Sequence, residues 1–189
     1  MAPPPPDEDR EMKWFARFEM GFGGRGLLDN NRLLTEVGYA SFKFWAGFDG
    51  AYMVHPRIGI GGFLGMNRRA SDPDGPTRSI NTYSLFGGAQ APIHIWGERA
   101  YTFHVTPRLG LLGGSVSSEA FSLDDEDAGG HAEYTAIFGA LASFQSFTYH
   151  LGVSAGWLFA PAGRPGEAGR AHDFGGLFLG INATLDGDD

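Results

Sequence analysis

Cysteine is absent from the 189 residues. That excludes disulfide bonds, thiolate catalysis and a Cys-bound zinc site. No run of about 18 apolar residues occurs, so the chain offers no transmembrane helix. This leaves a membrane barrel open, because its strands are short and only alternately apolar. Charge is sparse, at 19% of residues, and the 14 basic residues are outnumbered by 22 acids, for a net charge of −8. A nucleic-acid partner is therefore not expected, since phosphates attract Lys and Arg. The opening MAPPPPDEDRE has neither the basic region nor the apolar stretch of a leader. We expect a mature chain whose leader has been removed, with Pro3 to Pro6 as an extended spacer.

What is abundant is glycine, with 30 copies, and aromatic residues at 14%, of which 16 are Phe. Together with the low charge they argue against disorder. They also argue against a helical bundle, because glycine is a poor helix former.

The dominant period along the chain is two. In the first segment Trp14, Ala16, Phe18, Met20 and Phe22 alternate with Phe15, Arg17, Glu19 and Gly21. Successive side chains of a strand point to opposite faces, so one face is apolar and the other carries the charges. Seven further segments repeat the pattern, among them Phe42-Phe44-Ala46-Phe48, Ile58-Ile60-Leu64-Met66, Phe147-Tyr149-Leu151-Val153-Ala155-Trp157 and Leu177-Leu179-Ile181. Several reach ten residues, the length a tilted strand needs to cross a bilayer.

Connections alternate in length. Long polar ones cover 25–36, 70–79, 119–131 and 161–171; short ones lie near 50–56, 97–99 and 145–146. With both termini on one side, every long connection emerges on the other, as in outer-membrane barrels. Val54 to Gly62 (VHPRIGIGG) and Val105 to Gly114 (VTPRLGLLGG) form an internal repeat. Pro56 and Pro107 remove ladder donors, which places them at strand starts or bulges.

A solvated strand face normally carries many charges. Here the polar face carries Gly, Ser, Thr and His with isolated ions, which suits the packed interior of a small barrel. The large residues then face lipid: Trp14, Phe18, Phe42, Phe44, Leu64, Val153, Trp157 and Leu179. In water they would expose more apolar surface than soluble monomers tolerate.

This pattern, the loop alternation and the Pro-Arg-aliphatic-Gly runs at Pro56 to Gly59 and Pro107 to Gly110 resemble the eight-stranded outer-membrane barrels of the OmpA/OmpX type. The resemblance spans about Met12 to Leu185. It implies an all-β, closed, antiparallel up-and-down transmembrane barrel of eight strands, with short periplasmic turns and four longer outer loops, in the outer membrane of a Gram-negative cell. The family usually ends its last strand on an aromatic residue, whereas this chain continues past Leu185 into Asp186-Gly187-Asp188-Asp189. The expected organisation is a spacer over 1–11, the barrel over 12–186 and an acidic tail over 187–189.

Arg17, Glu19, Lys43, Asp49, His104 and Arg108 fall on the inner face, as a network that plugs the lumen or, alternatively, as a gate or narrow ion path. His94, His104 and His150 share that face, but no His-x-Ser pair with a matched Glu accompanies them, so no catalytic residue is assigned. The acidic run Asp124 to Asp127, with Asp72 and Asp74, lacks the spacing of a calcium loop, and no metal or cofactor is expected. The function expected is a structural or surface-interaction role through the outer loops, without catalysis. The partners expected are outer-membrane lipid and lipopolysaccharide, with a surface partner at the loops, and the protein is expected to be a monomer. A barrel enzyme that modifies lipids, or a soluble lipocalin-like carrier of an apolar ligand, are the alternatives.

Overall fold

The computed structural model describes residues 12–23, 43–69, 78–98, 100–120, 131–160 and 176–187. They form nine strands and, among the described residues, no helix: β1 (Trp14–Gly23), β2 (Lys43–His55), β3 (Ile58–Arg69), β4 (Arg78–Gln90), β5 (Ile93–Glu98), β6 (Tyr101–Ala120), β7 (His131–Ser146), β8 (Leu151–Phe159) and β9 (Gly176–Gly187). All pairings are antiparallel, and β1 pairs with both β2 and β9, so the sheet closes on itself. β4 and β5 share one stave, since both pair with β6 and with β3. The result is a closed eight-staved, up-and-down barrel. Closure leaves no edge with unpaired backbone groups.

The alternation read from the sequence sets the faces. On β1, Phe15, Arg17 and Glu19 are buried while Ala16, Met20 and Phe22 are exposed. On β9, Phe178, Asn182 and Thr184 are buried while Leu177, Leu179 and Ile181 are exposed. Three connections are short and lie at the end that also holds Trp14 and Gly187: Pro56-Arg57, the link from Glu98 to Tyr101, and Phe147 to His150. The other four, 24–42, 70–77, 121–130 and 161–175, join strands at the opposite end.

Besides β2, which runs through the expected 50–56 connector to His55, and His150, expected inward but exposed, the structure departs from the sequence reading in three places. The fourth stave breaks at Ala91-Pro92 into β4 and β5. Pro107, expected at a strand start or a bulge, sits inside β6 opposite Ala140 of β7. The two facts explain each other. In an antiparallel strand the N and C=O of one residue face the same neighbour, and the Pro107 carbonyl accepts Ala91 N–H at 3.1 Å. The donor that proline lacks would therefore have faced the broken stave. The third departure is Phe147, read as outward-facing after a turn at 145–146. β7 instead runs to Ser146, the turn is Phe147 to His150, and Phe147 folds inward to 3% exposure. His150 holds that turn at φ 55°, a left-handed value that needs local support outside glycine. Its Nδ1 is 3.0 Å from the Thr184 carbonyl.

Candidate functional site

Closure of the sheet encloses a lumen, and its described side chains fall into three tiers. The middle tier is ionic. Arg17 and Glu19 are two residues apart on β1, so both point inward. Asp49 stands opposite Arg17 in the β1–β2 register. Arg108 reaches them from β6, across the lumen.

Arg17 Nη2 donates to Asp49 Oδ2 at 2.8 Å, and its Nε is 3.2 Å from both Asp49 oxygens and 2.9 Å from Glu19 Oε1. Arg108 Nη2 contacts Asp49 Oδ2 and lies 3.4 Å from Glu19 Oε2. Two glutamines complete the tier: Arg108 Nε donates to Gln90 Oε1 at 3.0 Å, and Arg17 Nη1 donates to Gln145 Oε1 at 3.3 Å. All four ions are nearly solvent-free, with Glu19 at 1% and Arg17 at 2% exposure. Two positive and two negative charges sum to zero. That balance is the condition under which a buried ionic group is tolerable, because each unpaired buried charge costs several kcal/mol.

The tier toward the short turns is apolar: Phe15, Ala51 and Phe147, with Met12 and Met53 against them. His104 belongs here rather than to the ionic tier. Its ring centroid is 6.1 Å from Phe15, 6.3 Å from Phe147 and 5.3 Å from His94. The third tier, toward the long connections, packs Trp45, Phe63, Phe86 and Phe178 with Leu112, Ile137 and Leu141. Trp45 meets Phe178 edge-on at 4.7 Å. Glycines on neighbouring staves make room for the rings: a Cβ on Gly65 would stand 2.6 Å from Phe86 Cε2, and one on Gly156 would stand 2.9 Å from Phe178 Cε1. Arg108 stacks 5.0 Å from the Phe63 centroid and so joins the ionic tier to this plug.

Of the expected lumenal residues, Arg17, Glu19, Asp49 and Arg108 lie in mutual contact, and His104 lies beside them in its aromatic box. Lys43 is on β2 with its side chain outside the described residues. Of the residues read as lipid-facing, Leu64 (63%), Val153 (54%), Leu179 (69%) and Phe44 (41%) are exposed. Trp14, Phe18 and Trp157 are half-buried, and Phe42 lies outside the described residues. So do the acidic residues Asp72, Asp74 and Asp124 to Asp127.

Gln145 was legible only with the correct turn, because a connector at 145–146 hides its inward position. The apolar plug was signalled by Trp45, Phe63, Phe86 and Phe178 all sharing the parity of the charged residues. His150 and Ser154 are not brought together: His150 is exposed on its turn, whereas Ser154 is buried on β8. Among the described residues no cluster of three or more His, Asp or Glu could hold a metal.

The strand architecture matches a known fold. The attachment invasion locus protein Ail of Yersinia pestis superposes with a TM-score of 0.51 at 12% identity, over 92% of this chain and 100% of Ail. The fold is that of the eight-stranded outer-membrane barrels. Neisserial surface protein A aligns at a TM-score of 0.48 and 13% identity, over 90% of this chain and 95% of its own. The N-terminal barrel domain of Pseudomonas aeruginosa OprF aligns at 0.45 and 15%, over 90% and 97%. The sequence matches no family model and no curated protein.

Proposed function

We propose that this protein resides in a Gram-negative outer membrane as a sealed barrel, with a structural or surface-interaction role carried by its four outer connections. The observation that supports this most is the inversion of burial. Leu111 is 71% exposed, Leu179 69% and Leu64 63%, and such residues occur on every stave, while Arg17 and Glu19 are buried. A soluble carrier of an apolar ligand needs the reverse arrangement. Water would not tolerate a continuous outer band of this kind, whereas hydrocarbon favours it. Tyr52, Trp96, Tyr101 and Tyr149 are exposed at the short-turn end, where an aromatic girdle would meet the membrane interface.

The ionic tier acts as a brace rather than a path. It lies between two apolar stoppers, and its two positive and two negative charges balance. With the lumen filled, the outer connections are the part left to meet surface partners, and outer-membrane lipid and lipopolysaccharide surround the band. No catalytic role is assigned.

The test is expression with a leader in a Gram-negative host. We expect the protein in the detergent-requiring outer-membrane fraction. An unheated sample should migrate differently on a gel from a boiled one, and external protease should cut intact cells at the long connections. Recovery as a soluble protein without detergent would overturn the proposal.

A further inference from the structure

Among the described residues, the outer face carries a local exception to its apolar character. Among strand residues whose side chains are described, Arg68 on β3 is the one Lys, Arg, Asp or Glu that points outward. Arg17, Glu19, Asp49 and Arg108 are buried in the lumen, and the Asp186 side chain is 3% exposed. Arg68 lies near the end of β3, opposite Phe44 on β2 and Tyr83 on β4. Its guanidinium sits 5.2 Å from the Tyr83 ring centroid.

One row further into the band, Met66, Leu85, Gly113 and Tyr134 stand side by side on β3, β4, β6 and β7. Gly113 has no side chain, so the row has a gap. The Tyr134 ring flanks that gap, 3.1 Å from where a Cβ would stand. The outcome is a groove of about 500 Å³ lined by Met66, Tyr83, Leu85, Gly113 and Tyr134 together with Asn67 and Ser84, and Arg68 adjoins it through the Tyr83 ring.

We propose that this groove seats one phosphorylated, acylated lipid of the outer leaflet, with an acyl chain over Gly113 and its phosphate on Arg68. The charge and shape fit that occupant together. A cation deep in the hydrocarbon costs about 2–4 kcal/mol, falling to about 0–1 kcal/mol near the interface. Arg68 therefore belongs at headgroup level, with its stem lying along the band. Stacking on Tyr83 uses the face of the guanidinium and leaves its N–H edge for two parallel bonds to a phosphate. The trough beside it is lined mainly by the apolar side chains Met66 and Leu85 and the rings of Tyr83 and Tyr134. The β3–β4 connection lies at the end opposite the termini, which makes the lipid one of the outer leaflet.

This inference rests on residence in the membrane, and the experiment separates the two. The full chain is folded in micelles and its heat-dependent gel migration is checked. Native mass spectrometry then measures retention of lipid A, of dephosphorylated lipid A and of phosphatidylcholine. We expect one lipid A per barrel. Retention should fall about tenfold on removal of the phosphate, on Arg68→Gln, and on Gly113→Val, which fills the trough. Arg57→Gln, at the opposite turn end, should leave it unchanged. If the wild type shows no folded, heat-sensitive form, the residence reading fails. If it folds, and Arg68→Gln or the dephosphorylated lipid binds as the wild type binds lipid A, the seat is refuted and residence stands.

Discussion

Replacing Arg108 by methionine isolates the contribution of the lumenal brace. Arg108 is 4% exposed and touches three partners: Gln90, Glu19 and Asp49. Methionine preserves much of the stem and the contact with Phe63, so little cavity forms. What changes is charge. Two carboxylates would face Arg17 alone, and the tier would carry a net −1 in a space without bulk water. Removing one partner of a buried ionic group costs about 3–5 kcal/mol, whereas replacing both by apolar residues of similar volume is close to neutral. The pair Arg108→Met with Asp49→Leu restores neutrality, because Arg17 and Glu19 then remain 2.9 Å apart. At a urea slope of about 2 kcal/mol per molar, the single variant should lower the unfolding midpoint in micelles by about 2 M. The double variant should recover more than half of that loss. Equal midpoints for wild type and single variant, or a double variant no better than the single, would refute the reasoning that charge balance holds this tier together.

Three further outcomes follow from the faces and the plug. Leu111→Lys, in the middle of β6, should cost about 2–4 kcal/mol in bilayers, and Val54→Lys, beside a short turn, about 0–1 kcal/mol; unfolding titrations in liposomes check the contrast. Ile137→Ala, at 0% exposure in the plug, should cost about 2–5 kcal/mol by leaving a cavity, read from the same titrations. Gly65→Val should cost about 1–3 kcal/mol through collision with Phe86. Adding Phe86→Ala should relieve part of that collision, and a double-mutant cycle measures the coupling.

Much of the wall was legible in the sequence. The strict period of two assigns Arg17, Glu19, Asp49 and Arg108 to one face and Leu64, Val153 and Leu179 to the other. A strand has only two faces, so between bulges such as those at Met53/His55 and His94/Trp96 a single residue of known orientation fixes its neighbours. The proline break was not legible: Pro107 reads locally as a strand opening, and only the neighbouring stave shows that its missing donor falls where β4 ends. Phe147 was misread because period two carries no information about where a turn folds its first residue.

The alternation, the shortage of charge and the spacing of turn residues determined that this chain forms a barrel with its large side chains outward, since those features act along one strand at a time. Only the tertiary structure decided what fills the barrel. Which ring rests on Gly65 or Gly156, how Arg108 meets Asp49, and why His104 sits among aromatics instead of ions depend on register and shear between staves distant in sequence. Those relations arise when the sheet closes, so residue order alone does not contain them.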